Sequence, residues 1–356
     1  MNSGSFPTIE SLKLRYAQNE RAAAAAFFVA GFVFDIVTVG RIDSWLTIAQ
    51  QAAYLGVVGF ALAQMLLEEG SPPREGWWFR WRSAVVHFVL GALLNLYTIF
   101  FFKSSSLVVS FAFLAFLVAL VIANETPRFK ALGLHFKFAL LALCLLAFAA
   151  VVVPIGAGSI GLGVFLLSMA AGAAPLAALG WRLRSRGGRG TILVPLGLVL
   201  AAFLAAYLFR VIPPVPLSIP YIGIYHGVAR TETGFRLSHE RPWWRFWHNG
   251  DQRFVAQPGD RVYVFFRVFS PSRFADQVNL RWYLRRPSGW ALQDTIPIGI
   301  VGGREEGFRG FGFKGNYEPG EWKVQVETTD AREIGRIYFE LDVAPAGPRS
   351  LVEEPA

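Results

Sequence analysis

Four polar residues sit where apolar side chains would be cheaper. Asp35 lies about five residues from one end of an apolar run, roughly 7–8 Å deep at the helical rise of about 1.5 Å per residue. Gln50 and Gln51 in the next run, and Asn95 in the one after, lie at a similar depth, with Tyr54 and Tyr97 close to it. Ionisable groups inside lipid are costly and mark sites for protons, ions or solutes. Asp35, Gln50, Gln51 and Asn95 could thus line a cavity. The alternative is interhelical hydrogen bonding, which polar side chains supply in helix bundles. Both readings stand at this level.

The second stretch with chemistry is Arg241-Pro-Trp-Trp-Arg-Phe-Trp-His248. Indole faces interleaved with guanidinium groups stack on sugar rings or anchor a protein partner, because Trp and Arg dominate binding hot spots. They suit the headgroup zone of a bilayer equally well. One or two could instead fill a core. Arg241, Trp243, Trp244, Arg245 and Trp247 form the candidate binding surface.

Reactive motifs are not seen. His226, His239 and His248 lack metal-ligand spacing, and Ser270, Ser272 and Ser288 sit in no nucleophile elbow. Gly156–Gly163 is glycine-rich but follows no strand and lacks the lysine of a phosphate loop. The lone Cys144 falls in an apolar run and reads as a small hydrophobe. No catalytic residue, cofactor or metal is expected, and the chain is read as non-enzymatic.

The elements that carry these residues follow from composition. Hydrophobic residues make up 54% of the 356 and charged residues 17%, the balance of a multi-pass membrane protein. The net charge of +9 divides into +8 over residues 1–213 and +1 over the rest. It therefore sits in loops between apolar segments, and nucleic acid is not an expected partner. After a polar segment, 1–21, seven apolar segments occupy 22–40, 44–66, 83–102, 105–123, 136–154, 158–180 and 191–212. Each approaches the roughly 20 residues that cross a hydrocarbon core, so 22–212 is predicted as a seven-helix bundle. Alternate loops hold 13 and 3 Lys/Arg, which places the N-terminus in the cytoplasm and the C-terminal half outside. The Ala- and Arg-rich, Lys-poor composition suggests a bacterium, hence an inner membrane and a periplasmic domain.

Residues 213–220 contain four prolines, which cannot continue a helix and favour an extended tether. Beyond them the period changes to two. Arg261–Phe269, Val278–Leu284, Trp322–Glu327 and Ile337–Val343 alternate, with turn residues between them. Seven or eight such strands over 221–343 predict an immunoglobulin-like antiparallel β-sandwich, with Trp282, Trp290 and Trp322 in its core. The Pro/Gly/Glu-rich tail 344–356 reads as disordered.

The joint Pro213-Pro-Val-Pro-Leu-Ser218 with Gly223-Ile-Tyr-His226, then Gly320-Glu-Trp-Lys-Val-Gln-Val326 and Ile334-Gly-Arg-Ile-Tyr-Phe-Glu-Leu341, resembles a bacterial family of unknown function. Its members carry this β-module outside the membrane, often after a polytopic helical half. The resemblance implies the architecture and no activity. Three functions are compatible with it. In the first, the bundle anchors and positions a β-sandwich that binds a periplasmic protein or glycan, as in a subunit of an envelope complex. In the second, a transporter or channel component works through the Asp35 level. In the third, a sensor relays through a partner.

Overall fold

The computed structural model describes residues 42–356, apart from 73, 105–106, 125, 127–131, 233, 246, 272–273 and 303–306. Ile42–Ala356 forms one compact unit. Among the described residues six α-helices lead it: α1 (Trp45–Leu67), α2 (Trp77–Lys103), α3 (Leu107–Asn124), α4 (Leu134–Ala157), α5 (Leu162–Arg182) and α6 (Val194–Leu208). A π-helical turn, Arg189–Leu193, precedes α6. These coincide with six of the seven predicted segments; the other, 22–40, lies outside the described residues and takes Asp35 with it. Five of the helices, the last counted from Arg189, are long and apolar enough to cross a membrane. That property marks the chain as a membrane protein.

α4 is the centre of the bundle. Lys137, Phe138, Leu140–Cys144 and most of its later residues are buried, and α1, α2, α5 and α6 all pack on it. Small residues let α5 approach. A Cβ placed on Gly172 would lie 2.8 Å from the Leu145 carbonyl oxygen and 3.1 Å from the Ala149 Cβ, so only glycine fits there. Apolar side chains such as Phe60, Phe88, Phe111 and Leu198 point outward, as they would toward lipid. At the loop between α1 and α2, Trp78 Nε1 donates to Gln64 Oε1 (2.7 Å) and Arg82 pairs with Glu68.

The C-terminal half is β-sandwich-like. Its strands are β1 (Ser218–Tyr225), β2 (Gly227–Arg230), β3 (Phe235–His239), β4 (Arg253–Ala256), β5 (Val262–Phe269), β6 (Ala275–Arg286), β7 (Gly289–Val301), β8 (Phe308–Lys314), β9 (Gly320–Thr328), β10 (Glu333–Val343) and β11 (Val352–Pro355). One sheet runs β4-β10-β9-β6-β7 and a second β1-β5-β8. Between them lies one core that includes Phe254, Val264, Phe266, Trp282, Trp322 and Phe339. Alternation explains the arrangement, since successive side chains leave a strand on opposite faces. Val262, Val264, Phe266 and Val268 of β5 enter this core, while Phe265, with Tyr263 packed beside it, belongs to a second cluster.

That second cluster departs from a two-sheet sandwich. A third sheet, β11-β3-β2, covers the other face of β1-β5-β8 through Val228, Phe235 and Leu237. Its outer strand, β11, lies in the tail expected to be disordered. Val352–Pro355 pair antiparallel with Arg236–His239, so backbone hydrogen bonds order a segment whose composition alone does not.

The proline stretch is also not a free tether. Ile212–Leu217 are buried, and β1 already begins at Ser218. Neighbouring elements close over the segment, which makes it a seam between the two halves.

Candidate functional site

Arg332 organises that seam. It lies in the turn between β9 and β10, and its Nε donates to Asp330 Oδ2 (2.8 Å). Its Nη1 and Nη2 donate to the carbonyls of Ile212 (3.2 Å) and Tyr207 (2.9 Å), at the end of α6. Tyr207 Oη donates to the same Asp330 oxygen (3.0 Å), and its ring stacks on Phe165 of α5. Burial would raise the Asp330 carboxyl, but hydrogen bonds from Thr328, Arg332 and Tyr207 hold it below the usual range. Two further contacts tie β6 to the α4–α5 loop: Ala275 N donates to Gly158 O (3.1 Å) and Ile160 N to Asp276 Oδ2 (3.1 Å). The β-domain is thus docked on the helices at one end of its strands.

The Trp-rich stretch forms a loop from β3 to Gly250. Its exit is fixed, because Gly250 bridges to Ile224, six residues along β1 from Ser218, or roughly 20 Å of strand. A Cβ on Gly250 would lie 2.0 Å from the Ile224 carbonyl oxygen, and its φ of 63° is left-handed, so glycine is required there. The ends of the loop therefore lie far along β1 from the docking contacts. Trp243 is 89% exposed, Trp244 47% and Trp247 59%. Trp244 and Trp247 meet at 59° with centroids 6.0 Å apart, and Arg245 lies over the Trp244 ring. The alternative that this stretch fills the core is therefore excluded for all three. Trp282 and Trp322 do fill it, whereas Trp290 is half-buried beside Tyr338.

A polar network closes the neck of the loop. Glu240 N donates to both oxygens of Asp251 (3.1 Å each). Arg241 Nη1 donates to His248 O, which closes the loop on itself, and Nη2 pairs with Glu354 of β11 (3.2 Å). The Glu354 carboxylate also accepts from Tyr221 and Tyr225 (3.1 Å each) and lies 3.4 Å from His239 Nε2. Arg349 reaches Glu240, Asp260 and the Val255 carbonyl.

Beneath this neck lies His226, its side chain 2% exposed and stacked on Phe254. Its Nε2 lies 3.5 Å from Glu240 and 3.6 Å from Asp251. Burial, reinforced by Arg349, lowers His226 to about 4. Burial raises Asp251 to about 7, against the hydrogen bond from the Glu240 amide. His239 is lowered by burial too, and Tyr221 is raised to about 12. No group of three or more His, Cys, Asp or Glu among the described residues could hold a metal. Motif spacing could not find this network: only strand pairing brings residues 226, 251 and 354 together.

Asp35 lies outside the described residues, and no hydrogen bond joins Gln50 or Gln51 to Asn95. Gln50 is exposed and its Nε2 donates to Tyr54 Oη (3.0 Å); Gln51 is buried and donates to Thr47 O (3.1 Å). Each amide N–H₂ thus donates within its own helix, while the buried Gln51 Oε1 accepts no hydrogen bond from the described residues; Asn95 is half-buried on α2.

Fold and loop together define a class: a membrane protein with a helical N-terminal half and a β-sandwich-like domain docked on it. Residues 275–341, from β6 to β10, match the family described as Protein of unknown function (DUF2914), which is well under half of the chain. No curated protein shows significant sequence similarity. Among solved structures, an immunoglobulin-like protein from Pseudomonas aeruginosa is 13% identical, with 36% of this chain and 97% of that one covered and a TM-score of 0.22. A β-glucosidase from Listeria innocua is 12% identical over 26% of this chain and 15% of that one, with a TM-score of 0.18. The alkylpurine DNA glycosylase AlkC from Pseudomonas fluorescens is 11% identical over 85% and 99%, with a TM-score of 0.22. TM-scores this low carry no argument about activity.

Proposed function

We propose that the helical half anchors the β-domain in one orientation, and that the domain presents the Trp243–Trp247 loop to a periplasmic protein or glycan. The protein is then a non-enzymatic binding or assembly subunit of the inner membrane of a bacterium, with its N-terminus in the cytoplasm. The topology rests on the 13 to 3 distribution of Lys/Arg between alternate loops. The binding role rests on one observation: three exposed indoles on a loop whose neck is locked by part-buried hydrogen bonds. Exposed aromatic side chains on a pre-ordered loop lose little conformational entropy on contact, which favours their use as anchors.

The test is a photocrosslinker at position 243 of the full-length protein in its native membrane. The proposal expects one discrete protein or glycan adduct, lost when Trp244 and Trp247 are replaced by alanine. Absence of any discrete adduct would count against it, as would an adduct indifferent to those substitutions. If function is abolished by Asp35→Asn and untouched by the loop variants, the transporter reading takes its place.

A further inference from the structure

We infer that the C-terminal segment is an intramolecular strap for the aromatic loop, and that Glu354 is the positioning residue through which it acts. The inference rests on the binding role proposed for the loop.

The starting point is what β11 fails to bury. Val352, Glu353 and Pro355 are exposed, and Leu351 before them is 42% exposed. A strand is ordinarily held to its domain by apolar side chains that leave water. This one contributes none to the main core, and only Ala356, just beyond it, packs against the small cluster around Tyr225, Leu237 and Phe265. Its one inward side chain of consequence is a carboxylate. Glu354 is met by the Tyr221 and Tyr225 hydroxyls, His239 and Arg241, so a charge drawn from water is matched by four polar partners.

Of these four, Arg241 is the one that belongs to the loop. With its other nitrogen on the His248 carbonyl, it spans the loop from entry to exit, and Glu354 sets the direction of its guanidinium. The preceding loop residue is held by the same segment, because Arg349 Nε lies 3.0 Å from Glu240 Oε1. Two successive residues at the loop entry, Glu240 and Arg241, are therefore each gripped by a side chain of the tail. Backbone pairing of β11 with β3 and the Gln257–Gly347 hydrogen bond give the strap its own footing. The strap adds little apolar burial to the fold but supplies the neck of the loop, so its effect is local.

Hydrogen exchange of the full-length protein in detergent reads this directly and needs no ligand. Glu354→Ala should speed exchange of the amides of 241–249 about tenfold or more, the scale set by losing a charge-assisted hydrogen bond. Protection in β5 and β9 should stay at the wild-type level. Glu354→Gln keeps an acceptor for both tyrosines but turns an amide N–H₂ toward Arg241 in place of the second oxygen, so it should recover little of the loop protection. Arg349→Ala is the second variant, and it should loosen the same amides from the Glu240 side. Unchanged loop rates in both alanine variants would overturn the inference. Equal loss of protection in the loop, β5 and β9 would also overturn it, since that is what a general role in stability produces. A strap that behaves as expected while the position-243 crosslinker finds no partner would leave the strap standing and remove the proposed function.

Discussion

The guanidinium of Arg332 lies over the ring of Tyr207, with 3.3 Å between Cζ and the ring centroid. One residue comes from the β9–β10 turn and the other from the last turn of α6, so this stack, with Asp330 and the Ile212 carbonyl, is the bolt between the two halves. Arg332→Ala removes a buried cation and leaves Asp330 and two carbonyls short of donors. Such a change costs about 3–5 kcal/mol. Thermal unfolding of the full-length protein should show a large drop in midpoint, with new protease cleavage in 210–217. Arg332→Lys should recover only part of it, because an ammonium cannot reproduce the planar fork. A wild-type midpoint in the alanine variant would show that the seam is held elsewhere.

The loop tryptophans should behave in the opposite way. Trp243→Ala and Trp247→Ala remove exposed side chains, so unfolding should shift by no more than about 0.5 kcal/mol. Loss of capture by the position-243 crosslinker when Trp247 is replaced, without loss of stability, is the expected pattern. Strong destabilisation would mean that the indoles pack against something in the folded protein.

His226 and Asp251 make a prediction about pH. At pH 5 the unfolded chain carries a proton on His226, whose ordinary value is 6.5, and none on Asp251, ordinarily 3.8. In the folded protein Asp251, near 7, holds the proton and His226, near 4, does not. Each state binds one proton, so this pair gives no slope of stability against pH between about 4 and 6.5. Asp251→Asn deletes one half of the exchange. His226 then has a folded value below its unfolded one, so its contribution is full above pH 6.5 and is lost as pH falls toward 4. Urea midpoints from pH 7.5 to 4.5 should decline more steeply in the variant than in the wild type; parallel profiles would refute the assignment.

Gly172 and Gly163, nine residues apart on α5, should respond differently to substitution. Gly172→Leu drives a side chain into the α4 backbone at Leu145, and overpacking of this kind costs about 1–3 kcal/mol or more. A Cβ on Gly163 meets nothing within 4 Å, so Gly163→Ala should be neutral or stabilising by up to about 1 kcal/mol. Thermal midpoints in one detergent decide between them.

Some of this architecture is written locally. Apolar runs near 20 residues become helices because lipid leaves a backbone no other economical way to satisfy its hydrogen bonds. The alternation in Arg261–Phe269, Val278–Leu284, Trp322–Glu327 and Ile337–Val343 marks β5, β6, β9 and β10, since each faces a core on one side. The Trp-rich stretch itself is also visible in composition alone. β2, β3 and β11 are not visible in this way: four- and five-residue strands carry too few alternations, and β11 reads Val-Glu-Glu-Pro.

What the sequence determined by itself is therefore the solvent of each half, the long strands and the residue types available for binding. These follow from local hydrophobicity and period, which each segment carries on its own. Only the tertiary structure decided that the three loop tryptophans face outward, that the proline stretch is buried, and that the tail is a strand. It alone placed Glu354 beside Arg241, Asp251 beside His226, and Arg332 over Tyr207. Those pairs are 113, 25 and 125 residues apart. Their proximity is produced by strand pairing and docking, and nothing in the local pattern of either partner encodes it.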